Sequence, residues 1–197
     1  MKKNALGTEP EKEKSKDMYE WAQAVVFSVL AVVVVFTFGV RLIGVDGHSM
    51  LPTLQDGDRL LVLNGFLYGG YEPGDIVVLR KESFFPTPIV KRVIATEGQV
   101  VDIDFSSGIV YVDGQRLHED YINELTFTPE GMEFPLTVPQ GSVFVMGDNR
   151  NNSTDSRSDR LGTVDERYVI GRAVFLAFPG LDSETKAREY GRIGGIG

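Results

Sequence analysis

Ser49 stands between Gly47-His48 and Met50-Leu51-Pro52-Thr53-Leu54, with Gln55-Asp56-Gly57-Asp58 following. A flexible glycine before a hydroxyl and a rigid proline after it present that hydroxyl at a fixed angle. A serine hydroxyl is a weak nucleophile until a base takes its proton, so the chain must supply one. Its two histidines are His48 and His118. Neighbouring side chains of extended backbone point to opposite faces, which places His48 poorly for its own neighbour. His118, in Leu117-His118-Glu119-Asp120-Tyr121, reads as part of a solvated loop. There is no cysteine, which excludes thiolate nucleophiles, disulfides and cysteine zinc sites.

Lysine is the other base available. Lys91 and Arg92 interrupt the apolar run Pro88-Ile89-Val90-Lys91-Arg92-Val93-Ile94-Ala95. In a strand the two cations face opposite ways, so at least one turns toward a face shared with apolar neighbours. Burial disfavours the ammonium and makes the neutral amine a usable base near neutrality. Lowering its pKa by about three units costs roughly 4 kcal/mol, which the fold must supply. An edge strand with two solvated cations fits the same residues, and alternation does not choose between Lys91 and Arg92.

A third block, Met146-Gly147-Asp148-Asn149-Arg150-Asn151-Asn152-Ser153-Thr154-Asp155-Ser156-Arg157, is too polar for core and too rich in Asn, Asp and Ser for a helix. It reads either as a turn-rich loop or as a network in which Asp155 and Arg157 brace a site and Ser153 orients an amine. Metal binding by Asp148 and Asp155 fits no calcium-loop spacing, and Arg150 and Arg157 oppose it.

The elements that must position these residues begin with a membrane span. Residues 21–40, WAQAVVFSVLAVVVVFTFGV, hold no charge, and as a helix they would cross roughly 30 Å of hydrocarbon. Gly39-Val40-Arg41-Leu42 offers no small-x-small site for removal of a leader, so the run reads as a retained anchor, with Trp21 and Arg41 at its interfaces. Five lysines precede it, against Arg41 and Arg59 in the twenty residues after it. That bias predicts a cytoplasmic N-terminus and residues 41–197 outside. Residues 1–20 are polar and mixed in charge and read as a disordered cytoplasmic tail. The net charge of −8 argues against a nucleic-acid partner.

Beyond the anchor, short apolar runs alternate with turn residues. Strands are expected at 42–46, 58–63, 76–79, 89–96, 100–105, 109–112, 143–146 and 168–178, with Asp113-Gly114 a two-residue hairpin turn. The fold class is therefore mostly β: a single N-terminal transmembrane helix followed by an all-β domain over 41–182. A smaller insertion of hairpin and irregular chain occupies about 100–142. Residues 183–197 read as a tail, loose at Gly191–Gly197.

The three polar blocks, in order and behind an anchor, resemble the bacterial type I signal peptidases, the membrane-bound Ser-Lys leader peptidases. Ser49-Met50-Leu51-Pro52-Thr53 is similar to the family's nucleophile box and Gly74-Asp75-Ile76-Val77-Val78-Leu79 to its next strand box. Val90-Lys91-Arg92-Val93-Ile94 is similar to its lysine box, and Gly147-Asp148-Asn149-Arg150 through Ser153-Thr154-Asp155-Ser156-Arg157 to its last. One such box is weak evidence; four in order are strong. The resemblance implies Ser49 as nucleophile and Lys91 as general base, Ser153 holding the amine, and Asp155 and Arg157 supporting the site. The Ser49 N–H would contribute to an oxyanion hole. Some members add a hydroxyl two residues before the nucleophile, where this chain has Gly47, and Ala95-Thr96-Glu97-Gly98-Gln99 departs from the family's usual glycine-flanked turn.

The resemblance further implies secretory precursors as substrates, with small residues at the first and third positions before the cut. They would lie as an added strand against shallow pockets lined by Val45, Met50, Leu54, Ile89 and Val90. Phe66, Leu67, Tyr68, Phe84 and Phe85 are candidates for dipping into the lipid bilayer or for ordinary packing. No cofactor or metal is expected. A self-cleaving Ser-Lys repressor would need a DNA-binding region, which the chain lacks. A catalytically inactive relative acting as a chaperone for surface-protein assembly would have lost the serine or the lysine, and both are present. An outward-facing adaptor without chemistry would account for the anchor alone.

Overall fold

The computed structural model describes residues 9–81, 85–182 and 185–196, with backbone alone at 9–15 and 66. The chain divides into two compact units, Met1–Gly39 and Val40–Gly197.

In the first unit, helix α1 spans Glu9–Val34 and runs into a wider π-helical turn, Val35–Gly39. Pro10 suits a first turn, where its missing N–H is no loss, and no glycine follows until Gly39. The polar residues before Trp21, expected to be disordered, are helical from Glu9 onward. Lys16 and Glu20, one turn apart at 4.0 Å, support that extension weakly. Val26, Phe27, Leu30, Val33 and Phe36 are all exposed around the helix. The stretch Lys16–Gly39 is long and apolar enough to cross a membrane.

The second unit is built from β1 (Val40–Gly44), β2 (Arg59–Asn64), β3 (Ile76–Leu79), β4 (Ile89–Ala95), β5 (Val100–Asp104), β6 (Ile109–Val112), β7 (Gln115–Arg116), β8 (Leu136–Thr137), β9 (Ser142–Met146), β10 (Val164–Asp165), β11 (Val169–Phe178) and β12 (Gly194–Gly195). Among the described residues the main sheet runs β1-β2-β11-β3-β4-β9-β10, with β12 added to β11, and a second sheet runs β7-β6-β5-β8. The chain is thus mostly β, with one apolar N-terminal helix. β1 starts at Val40, earlier than expected, because it pairs with β2 from Val40↔Leu63 to Gly44↔Arg59. Asp113 and Gly114 both take positive φ, 52° and 75°, as the two-residue β6–β7 turn requires.

β3 shows why its run is unbroken. Ile76 and Val78 enter a core with Met50, Leu54, Leu60 and Val62 on one side. Val77 and Leu79 enter another with Val93, Val143 and Val145. A strand covered on both faces has no polar position to alternate with. A third core, including Ile94, Val101, Val110 and Phe144, joins β4 and β9 to the second sheet. Of the stretch expected to be loose at 191–197, Gly197 lies outside the described residues and the rest is tied down: Tyr190–Arg192 form a 3₁₀ turn and β12 pairs with β11.

Candidate active site

Ser49 sits on the turn joining β1 to β2. The base of that loop is closed by Val45 N–H donating to Asp58 O at 2.7 Å and Gly57 N–H to Val45 O at 2.9 Å. Met50 and Leu54, 1% and 0% exposed, plug the loop into the core. Ser49, between them and the surface, stays half-buried. Gly47 has φ +92°, in the region that disfavours any side chain, and its N–H donates to Asp56 Oδ1 at 2.8 Å.

β4 lies between β3 and β9, so its cations are not on an edge. Both are buried: Lys91 is 3% and Arg92 4% exposed. Lys91 Nζ lies 2.7 Å from Ser49 Oγ and donates to Val90 O at 3.1 Å. Burial pushes its pKa down to about 8, with the carboxylates of Asp155 and Glu130 pulling the other way. Within hydrogen-bond reach and titrating near neutrality, this amine meets both requirements of a general base. His48 is exposed, and its carbonyl is held by Asn149 Nδ2 at 3.0 Å. His118 lines a groove of about 610 Å³ formed by Ile109, 116–120 and 122–125, which includes neither Ser49 nor Lys91.

Arg92 turns to the opposite face and grips Asp148 with two bonds, Nε to Oδ1 at 2.9 Å and Nη2 to Oδ2 at 2.8 Å. Its Nη1 donates to Gly74 O at 2.8 Å, and its guanidinium lies 4.1 Å from the Tyr121 ring centroid. The register explains the meeting, since Arg92 pairs with Met146 at the end of β9 and Asp148 follows two residues later. Asp148 Oδ2 also accepts from Thr53 Oγ1 at 2.5 Å, and Asn149 N–H donates to Ser49 O at 3.0 Å. The turn that carries Ser49 is therefore clamped onto the strand that carries Lys91.

The rest of the third block folds back beside this clamp. Asp155, fully buried, accepts from Gly147 N–H and Ser153 Oγ, each at 2.9 Å. Arg157 closes on it through Nε and Nη2, both at 2.8 Å, and donates to Arg150 O, Ser153 O and Thr128 O. Ser153, expected to hold the amine, directs its hydroxyl proton to Asp155, while the amine itself bonds to Ser49 and Val90.

An open cleft of about 330 Å³ exposes Ser49 and Lys91 beside Gly47, Ile89, Ser153 and Phe85. Of the residues expected to form substrate pockets, Ile89 lines this cleft, while Val45, Met50, Leu54 and Val90 pack together in the core behind it. Among the aromatic and apolar candidates for lipid contact, Phe84 and the Phe66 side chain lie outside the described residues. Leu67 is exposed, Tyr68 lies under the Arg172 guanidinium and meets Tyr71 edge-on, and Phe85 faces the cleft.

Sequence reasoning placed Thr53, Arg92, Gly147, Asp148 and Asn149 inside the boxes of the resemblance but gave none of them a role in the site, weighing Asp148 singly as a metal ligand. Its one available signal was that both cations of β4, not one, interrupt an apolar strand. Gly147 leaves no room for a side chain: a Cβ there would collide with Ser153 Oγ and the Ser49 carbonyl oxygen. Gly147→Ala is expected to lower the cleavage rate about 100-fold by displacing the turn that carries Ser49, measured as kcat on a purified precursor. Wild-type kcat in the folded variant would refute the clamp.

The sequence model described as "Signal peptidase, peptidase S26" matches residues 18–178, the span that holds all of these groups. The chain belongs to this signal peptidase family. It is 35% identical over 185 residues to signal peptidase I T of Bacillus subtilis, covering 90% of this chain and 94% of that protein. With a signal peptidase I of Bacillus amyloliquefaciens it shares 35% over 176 residues, 85% of this chain and 89% of the relative. With signal peptidase I of Mycobacterium tuberculosis it shares 33% over 230 residues, 90% and 78% respectively. Membership makes the chain a peptidase, and its N-terminal apolar helix fits the membrane anchor of such enzymes.

Proposed function

We propose that this peptidase removes N-terminal signal peptides from secretory precursors with Ser49 as nucleophile and Lys91 as general base. The observation that carries the reading is the 2.7 Å contact between Lys91 Nζ and Ser49 Oγ inside an open cleft. With the amine neutral, the hydroxyl donates to its lone pair. As Oγ attacks the scissile carbonyl carbon, its proton passes to Nζ and the carbonyl electron pair becomes an oxyanion. The Ser49 N–H is the donor proposed for that oxyanion. Collapse breaks the C–N bond, and the Lys91 ammonium returns the proton to the leaving amine. A water then gives its proton to Lys91 and attacks the ester, and departing Ser49 takes the proton back. Ser153 and the Asp155–Arg157 pair are assigned the support of the lysine side of the cleft.

Small residues before the cut suit the site, because Val45, Met50, Leu54 and Val90 fill the volume behind it. The anchor is placed with its N-terminus in the cytoplasm and the catalytic unit outside, on the lysine bias of the flanking residues.

The test is cleavage of a precursor bearing an Ala-x-Ala site by the detergent-solubilised full chain and by Ser49→Ala. Wild type cutting after the second alanine, with a folded but inert Ser49→Ala, is the expected result; a folded wild type that never cuts overturns the reading. The pH profile gives a separate check. Because the base must be neutral, kcat/KM should rise about tenfold per pH unit from the acid side and level off above the lysine pKa of about 8. A profile flat from pH 6 to 9 would remove Lys91 as the base.

A further inference from the structure

We infer that Arg192, on the segment after β11, is a positioning residue for the nucleophile turn; this rests on Ser49 being the nucleophile. Asp58, fully buried at the base of that turn, has a carboxylate that ties three pieces of chain together. Its Oδ2 accepts from Gln55 N–H at 2.8 Å, and its Oδ1 from Gly180 N–H at 2.7 Å. Arg192 completes the shell through Nη1 to Oδ1 at 3.0 Å and Nη2 to Oδ2 at 2.7 Å. The same Nη2 reaches Thr53 O at 3.2 Å, inside the loop that carries Ser49. A buried carboxylate needs a counter-charge, and here the counter-charge also grips the turn directly.

The segment that brings Arg192 there is built for the purpose. Arg188 donates to Pro179 O at 2.6 Å and packs over Phe178, whose ring meets Tyr190 edge-on. β12 pairs with β11, and Ile196 packs on the core that holds Met50 and Leu54. Gly180 leaves no room for a Cβ against the Asp56 carbonyl, so the chain passes tightly under the turn at that point. The match with the family model ends at residue 178, ahead of this strap. The turn is thereby held from two sides: Asp148 and Asn149 against the lysine strand, Arg192 against the strap. Losing the Arg192 hold lets Ser49 Oγ wander from Lys91, and catalysis is sensitive to displacements of about 1 Å.

The experiment compares full-length wild type, Arg192→Ala and Arg192→Lys for kcat, KM and amide hydrogen exchange at residues 54–58. Arg192→Ala is expected to lose about tenfold in kcat, with KM within about twofold, and to exchange faster at 54–58. Arg192→Lys keeps the charge without the forked geometry and should recover part of kcat. Wild-type kcat and exchange in folded Arg192→Ala would overturn the inference. If Arg192→Ala does not fold, Arg192→Lys decides: reduced kcat at wild-type melting temperature supports the role, and wild-type kcat refutes it. A wild type that cuts nothing would strike the proposed function instead, and the exchange rates at 54–58 would still test the strap.

Discussion

Lys91→Met is expected to abolish cleavage, by about 10⁴-fold or more, in a protein more stable at pH 7 than the wild type. The first half follows from removing the base beside Ser49 Oγ, with a side chain of similar length filling the same space. The second half follows from linkage. The Lys91 pKa is lowered from its ordinary 10.5 to about 8 in the folded chain because burial penalises the ammonium. Below pH 8 both folded and unfolded chains carry the proton, and the folded state bears the full penalty. Between pH 8 and 10.5 the unfolded chain holds more protons, so wild-type stability rises with pH there, by about 3 kcal/mol in all. Methionine removes that dependence. Allowing for the hydrogen bonds lost at Ser49 and Val90, a net gain of about 1–2 kcal/mol at pH 7 is expected. Thermal melts from pH 6 to 10 check both parts: the wild-type melting temperature should climb between pH 8 and 10 and the variant's should not. A variant less stable than wild type at pH 7 would show that the lysine is not under strain from burial.

Arg157→Ala is expected to destabilise the fold by about 3–5 kcal/mol, the cost of leaving a buried carboxylate without its partner. Both Arg157 and Asp155 are fully buried and joined by two bonds of 2.8 Å. The loss should propagate to the site through Asp155, which holds Gly147 N–H and Ser153 Oγ, and through Gly147, where even an added Cβ would collide with the Ser49 carbonyl. Denaturant midpoints give the stability loss. A change under 1 kcal/mol would mean that solvent reaches Asp155 in solution. Arg157→Lys should retain part of the stability but not all of it, since one ammonium cannot reproduce the fork that also reaches the Arg150, Ser153 and Thr128 carbonyls.

The anchor and the strands were legible because they rest on short-range physics. An uncharged run of twenty residues declares its length, Ile76–Leu79 declares its start by Pro73-Gly74-Asp75, and Ile109–Val112 declares both its ends by turn residues. The closeness of Ser49 and Lys91 was suggested by residue types, a serine held by Gly and Pro and a lysine inside an apolar strand, and by the motif resemblance, which chose Lys91 over Arg92. The helical character of residues 9–20 was not, since mixed charge without apolar periodicity gives no signal for a helix that is an extension of its apolar neighbour.

The choice between Lys91 and Arg92 shows where sequence reasoning stops. Alternation says only that they face opposite ways. Both proved to be buried, each with its own polar partner, and those partners come from residues 42 and 56 positions away. The sequence by itself determined the apolar N-terminal helix and the β class, and it offered Ser49 and Lys91 as the pair proposed to do the chemistry. Only the tertiary structure decided what holds them at 2.7 Å, namely Asp148 and Asn149 against the nucleophile turn, Gly147 beneath it and Arg192 behind it. The physical reason is that these contacts join segments far apart in the chain, through a register between β4 and β9 and a strap returning after β11 that no local pattern encodes.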